Sequence, residues 1–225
     1  MITVVVPVLN QLKMTDEFLE SISINTVLPK EIILIDNGSS KNIKSLVKKY
    51  KNLPINYIRH EVNTGVNKPW NDGIRLAKTK FISVLNNDII LNKYFFEKII
   101  EVMKSPDVGI VVPKIVKDKN LVNKTDNSPV KVIKNPRQKR REGCAFTIRK
   151  EITNKIKPIP IALKTYCGDY YLFNSSEALG YKYALMSNNY VFHYGGQTVN
   201  QRWPDGETTR VEEKKYWQDI KKGIK

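Results

Sequence analysis

Two cysteines and two histidines in 225 residues leave little from which to build a structural zinc site or a disulfide scaffold. Cys144 and Cys167 stand 23 positions apart with no Cys-x-x-Cys pair, so they read as ordinary semi-buried thiols. No run of 18 or more apolar residues occurs, which excludes a hydropathy-defined membrane-spanning helix. The apolar start Ile2 to Leu9 has neither a basic leader nor a small-residue cleavage site, and a soluble, cytoplasmic protein is expected. Gly-x-Gly-x-x-Gly and Gly-x-x-x-x-Gly-Lys-Ser/Thr are both absent, so a dinucleotide fingerprint and a P-loop are unsupported. Acidic residues are short as well: 22 Asp plus Glu face 38 Lys plus Arg, a formal net charge of +16. Such a balance implies an anionic partner, whether nucleic acid, an acidic membrane surface or a phosphate-bearing substrate, although a lysine excess can also reflect genome composition.

What is present is an alternation of apolar runs and amphipathic stretches. Thr3 to Val8 reads as a buried strand, and Thr15-Asp16-Glu17-Phe18-Leu19 with Ile22 and Ile24 as a capped helix. Glu31 to Ile35 is a second strand, Ile43 to Tyr50 a second helix, Ile55 to Ile58 a short third strand and Trp70 to Ala77 a third helix. The order predicts an α/β protein with a mixed, mainly parallel central sheet and helices on both faces. Ligands of such sheets bind at the C-terminal strand ends. Two of those ends carry a carboxylate: Asp36, before Asn37-Gly38-Ser39-Ser40, and Asp88, where Phe81-Ile82-Ser83-Val84-Leu85 breaks into Asn86-Asn87-Asp88. Taken alone, Asn-Asn-Asp is also good turn chemistry.

Beyond Asp107 the character changes. Gly109 to Val112 is strand-like, Lys114 to Arg141 is a lysine-rich excursion read as a flap or a surface hairpin, and order returns at Gly143 to Ile148. Two later clusters follow, Gly168-Asp169-Tyr170-Tyr171-Leu172 at a helix start and Val191-Phe192-His193-Tyr194-Gly195-Gly196 at the end of an apolar run. A lone histidine in such a place is more often structural than a ligand, and Asp169 alone could be a helix cap.

Together these pieces resemble the GT-A glycosyltransferases of family 2. Val4-Val5-Val6-Pro7-Val8-Leu9-Asn10 is similar to the first-strand motif, and Ile35-Asp36-Asn37-Gly38-Ser39-Ser40 to the second, whose aspartate contacts the nucleotide base. Asn63-Thr64-Gly65 with Asn71-Asp72-Gly73-Ile74 resembles the linking helix, and Leu85-Asn86-Asn87-Asp88 the metal-binding Asp-x-Asp in the Asn-x-Asp form of rhamnosyltransferase-like members. Gly143-Cys144-Ala145-Phe146 is similar to the acceptor-side strand. Gly168-Asp169-Tyr170-Tyr171-Leu172 stands where the family has Glu-Asp-x-Asp-Leu, keeping one of its three acids, and Val191 to Thr198 resembles the late histidine motif.

The resemblance implies an inverting, hexosyltransferase-type enzyme using a UDP-, GDP- or dTDP-linked sugar. It implies Asp169 as general base, Asp88 and His193 on a divalent Mn²⁺ or Mg²⁺ ion, and Pro7, Asn10, Asp36, Asn63, Gly65, Asn71, Asn86 and Asn87 around the donor nucleotide. Neutral Asn86 and Asn87 would suit the ribose or a metal-bound water better than charge neutralisation. Residues 1–205 are expected to form the GT-A domain, with a nucleotide-sugar half (1–105) and an acceptor half (106–205), and residues 206–225 a basic helical tail. The acceptor would be a glycan, a lipid-linked molecule or a protein. Trp217, Ile220 and Ile224 follow helical spacing among lysines, compatible with peripheral contact at an anionic membrane but better read as a docking face. A catalytically silent sugar or lipid binder is the alternative. A nucleic-acid module is less favoured, since no aromatic-basic interleaving accompanies the charge, and no specific nucleic acid partner is expected.

Overall fold

A computed structural model of the chain describes residues 1–134, 143–195 and 206–224. Strands β1 (Ile2–Val8), β2 (Glu31–Asn37), β3 (Ile55–His60) and β4 (Phe81–Leu85) alternate with helices α1 (Leu12–Ser23), α2 (Lys44–Lys49) and α3 (Asn67–Leu76). Then come β5 (Ile89–Leu91), α4 (Phe95–Met103), β6 (Val108–Val116), a 3₁₀ helix (Lys119–Lys124), β7 (Val132–Lys134) and β8 (Ala145–Arg149). Helices α5 (Lys150–Lys155) and α6 (Gly168–Ala178), strand β9 (Lys182–His193) and helix α7 (Gly206–Lys221) complete the described residues.

Among the described residues one nine-stranded sheet runs in the order β3-β2-β1-β4-β8-β6-β9-β5, with β7 added to β9. β1, β2, β3, β4, β6 and β9 point one way, and β5, β7 and β8 oppose them. The mixed, mainly parallel sheet expected from the strand-helix alternation is therefore present.

The continuous apolar strands follow from burial on both faces. In β1, Val4, Val6 and Val8 point into a core with Phe18 of α1, Leu46 of α2 and Phe95 of α4. Val5 points to the other side, where Trp70 and Ile74 of α3, Leu172 and Phe173 of α6 and Trp217 of α7 form a second core. The apolar stripe of the tail is thus docked: Trp217 is 5% exposed and Ile220 and Ile224 pack beside it, so the basic helix turns its apolar side inward rather than toward a surface. Among the described residues no helix is long and apolar enough to cross a membrane.

One local expectation needs correction. The first helix begins at Leu12, behind Gln11 in a left-handed conformation (φ 46°) with no side-chain cap, because the turn leaving β1 already reverses the chain there. Thr15, read as part of a cap, lies one turn inside, fully buried, with its hydroxyl donating to the Gln11 carbonyl at 3.0 Å. In the Lys114 excursion, read as a flap or a surface hairpin, Lys114 to Val116 finish β6, Asp118 caps the 3₁₀ helix through the Asn120 amide (2.9 Å), and β7 pairs with β9. The remainder of that excursion, residues 135–141, and the end of the late histidine motif, Gly196 to Thr198, lie outside the described residues.

Candidate active site

The C-terminal ends of β1 and β2 are stitched together by polar side chains. Asn10 takes a left-handed conformation (φ 57°), receives the Ser40 amide on its side-chain oxygen at 2.9 Å, and donates its own amide to the Ser39 hydroxyl at 2.8 Å. Pro7 stands opposite Ile35 in the parallel register. Asp36 is fully buried, so its charge requires partners. One carboxylate oxygen accepts the Ser39 amide (2.9 Å), and the other accepts the Tyr57 hydroxyl (2.7 Å) and the Arg59 guanidinium. Burial, reinforced by the Asp36 carboxylate, raises the Tyr57 phenol above its usual range and keeps it a donor. Expected to accept hydrogen bonds from a base or ribose, this aspartate already accepts three from the protein.

A second tie was not anticipated. Asn37, beside Asp36, donates its side-chain amide to the Asn63 side-chain oxygen (3.0 Å) and the Gly65 carbonyl (2.8 Å), and accepts from the Thr64 hydroxyl (2.8 Å). His60 lies 3.0 Å from the same Asn37 oxygen and 3.2 Å from Asp72, linking the loop to α3. Asn63 and Gly65 are thus held as one unit. Gly65 has φ +88°, and a Cβ there would stand 2.4 Å from the Lys164 carbonyl, which accepts the Val66 amide at 2.7 Å. The available sequence signal was an amide side chain, Asn37, beside the Asp36 carboxylate at the same strand end.

Two of the expected donor contacts are committed elsewhere. The Asn71 amide makes a reciprocal pair with the Ile159 backbone, donating to its carbonyl and accepting its N–H, both at 2.9 Å. Asn87 is 6% exposed and donates to the Thr15 hydroxyl at 2.8 Å. In this structure the two amides satisfy a backbone segment and a helix hydroxyl. Asn86 is partly exposed, with its backbone amide on the Cys144 carbonyl at 2.9 Å.

Asp88 behaves differently from its neighbour. β5 pairs antiparallel with β9, setting Ile89 opposite His193, and the Tyr194 amide donates to the Asp88 carbonyl at 3.0 Å. This register brings Asp88 and His193 side by side across 105 residues of chain. His193 Nε2 stands 3.3 Å from Asp88 Oδ1, yet the geometry makes no hydrogen bond, and both atoms are buried without a hydrogen-bond partner. Two orphaned buried groups of this chemistry, one hard oxygen and one imidazole nitrogen, fit a shared divalent cation. No cluster of three or more His, Cys, Asp or Glu occurs among the described residues.

Asp169 occupies the first turn of α6, behind Cys167, which takes a left-handed conformation (φ 59°) without capping through its side chain. The aspartate is half-buried and its Oδ1 accepts the Tyr170 amide at 2.9 Å. It faces the entry to β8: a Cβ on Gly143 would lie 3.1 Å from Asp169 Oδ2. The next residue, Cys144, holds Asn86 through its carbonyl, two positions before Asp88. The start of β8 therefore joins the carboxylate of α6 to the segment after β4 that carries Asp88.

With this geometry in view, the relatives are informative. The sequence profile described as Glycosyl transferase family 2 matches residues 3–160. The chain belongs to glycosyl transferase family 2. Hyaluronan synthase of Pasteurella multocida is 32% identical over 92 residues, 40% of this chain and 10% of the synthase. Staphylococcus aureus TarS residues 1–349 in complex with UDP-GlcNAc superposes with a TM-score of 0.72 at 18% identity, over 94% of this chain and 64% of that one. The mannosyltransferase PcManGT of Pyrobaculum calidifontis, in complex with GDP-Man and Mn²⁺, gives 0.69 at 16% identity over 94% and 60%. This family 2 chain thus shares the GT-A fold, and it spans a tenth of that synthase and under two thirds of either solved chain.

Proposed function

We propose that the chain is the donor-binding and catalytic unit of an inverting glycosyltransferase that moves a sugar from a nucleoside-diphosphate sugar to an acceptor hydroxyl. The observation that carries this reading is the orphaned Asp88–His193 pair, joined by the start of β8 to the Asp169 carboxylate. The stitched loops around Asn10, Asp36, Asn37, Asn63 and Gly65 form the floor on which the nucleotide rests, and their mutual hydrogen bonds fix that floor before a ligand arrives. Asp88 and His193 would hold Mn²⁺ or Mg²⁺, which when bound would offset the charge that develops on the departing diphosphate. Asp169 accepts the proton of the acceptor hydroxyl as that oxygen forms its bond to the anomeric carbon. The bond from that carbon to the phosphate oxygen breaks on the opposite face, its electron pair leaves with the nucleoside diphosphate, and the configuration inverts. A double displacement would need a second carboxylate beside the sugar, and the neighbours of Asp169 are Tyr170 and Tyr171.

UDP-GlcNAc in the TarS complex and GDP-Man with Mn²⁺ in PcManGT support this class of donor. The acceptor is a glycan, a lipid-linked molecule or a protein. A nucleotide-release panel over UDP-, GDP- and dTDP-linked sugars with Mn²⁺ tests the reading. Release from one donor, lost in Asp169→Asn while the matching nucleotide still binds, is expected. Release that survives both Asp169→Asn and Asp88→Asn, or silence with every donor, overturns it.

A further inference from the structure

Helix α7 grips the chain on both sides of Asp169. Glu213 is 5% exposed, and its carboxylate accepts the Thr165 amide on both oxygens at 3.1 Å and the Tyr166 amide at 2.7 Å. Those amides lie just before Cys167, the left-handed residue from which α6 departs, with Asp169 two positions further on. One turn along α7, Trp217 is 5% exposed and stacks on Tyr170, the residue after Asp169, with ring centroids 6.3 Å apart at 26°. The segment is thus fixed at its backbone before the aspartate and at its ring after it.

A carboxylate is an expensive way to satisfy two amides for stability alone, since burial penalises its charge and raises its proton affinity. What it provides is a firm hold, because amide bonds to an ionised acceptor are stronger than bonds to a neutral one. It holds a stretch whose backbone conformation at Cys167 is otherwise disfavoured for a side-chain-bearing residue. Both Glu213 and Trp217 lie beyond the residues matched by the family profile, which stop at 160.

We propose that Glu213 is a positioning residue of the transfer reaction: with Trp217 it locks the Thr165–Tyr170 segment so that the Asp169 carboxylate meets the acceptor hydroxyl. The proposal rests on the reading of Asp169 as general base. Its test compares the wild type with Glu213→Ala and Glu213→Gln, well below their melting temperatures. Three quantities are measured: hydrogen exchange along residues 164–178, affinity for whichever of UDP, GDP and dTDP the wild type binds with Mn²⁺, and turnover of the matching sugar donor. In Glu213→Ala, exchange at Thr165, Tyr166 and the first turn of α6 rises at least tenfold while β1 to β4 keep their protection. Nucleotide affinity stays within about twofold, turnover falls at least tenfold, and Glu213→Gln, which retains one acceptor oxygen, recovers part of it. A merely structural role would lower affinity and turnover together in proportion to the folded fraction, and that result, or unchanged exchange, overturns the proposal. A wild type that turns over no donor overturns the parent reading, and an active wild type with a fully active Glu213→Ala overturns the positioning role alone.

Discussion

Asn87 and Thr15, 72 residues apart in sequence, share a buried hydrogen bond of 2.8 Å in which the asparagine amide donates to the threonine hydroxyl. The bond anchors the turn after β4 to the first helix and leaves the adjacent Asp88 to face His193. Asn87→Ala is accordingly expected to act through stability, costing about 1–3 kcal/mol, the range for removing one partner of a buried bond. Urea unfolding measures it, and a loss below about 0.5 kcal/mol would contradict the anchoring role.

Asp88→Asn makes the opposite profile. The variant removes a buried charge whose Oδ1 has no hydrogen-bond partner, so the metal-free protein should melt at the same temperature or higher. Stabilisation by Mn²⁺ plus nucleoside diphosphate should vanish, because a ligand raises stability only through the state it binds. Thermal shift with and without Mn²⁺ reads both effects, and a preserved Mn²⁺ shift would remove Asp88 from the metal corner.

Gly65→Ala places a methyl group 2.4 Å from the Lys164 carbonyl at φ +88°. Either the loop moves or the N-terminal amides of α3 lose that carbonyl, at an expected cost above about 1 kcal/mol. Weakened nucleotide binding should accompany the fall in melting temperature, measured by titration calorimetry at 10 °C. Unchanged affinity would show that the Asn63–Gly65 unit does not line the donor site.

The hydrogen bond from the Tyr194 hydroxyl, helped by Lys119, lowers the Glu17 carboxyl below its ordinary value of 4.5. Because the folded-state value is the lower one, the stabilisation is fully present above about pH 4.5 and disappears as pH falls through the folded value. Tyr194→Phe should therefore melt below the wild type at pH 6, with the gap narrowing toward pH 3. A gap that widens on acidification would reverse the assigned sign.

The strands β1 to β4 were legible because their signals are local. The short, largely apolar runs Ile32–Ile35, just before Asp36, and Phe81–Leu85, just before Asn86-Asn87-Asp88, report both the strands and their polar ends. The site amides were less legible, since asparagine serves ligands and backbones through the same two groups. Nothing in the sequence separates Asn71, paired with Ile159, from a residue facing a nucleotide. Glu213 was missed for a related reason: in a lysine-rich tail it reads as half of a surface ion pair, and only the docking of Trp217 reveals that it turns inward. The register that joins Asp88 to His193 is a long-range property of β5 and β9, which periodicity does not report.

Strand β7, whose Lys134 is paired with Ala184, joins the sheet along β9, and β8 has its Ala145 paired with Leu85 of β4. Among the described residues the two strands thus hang on different neighbours, β7 on β9 alone and β8 on β4 and β6 at once. Loosening the β7–β9 pairing therefore leaves β8 clamped between its own two partners, so the sheet can fray at β7 without disturbing the strand that carries Gly143 and Cys144 toward Asp169 and Asn86.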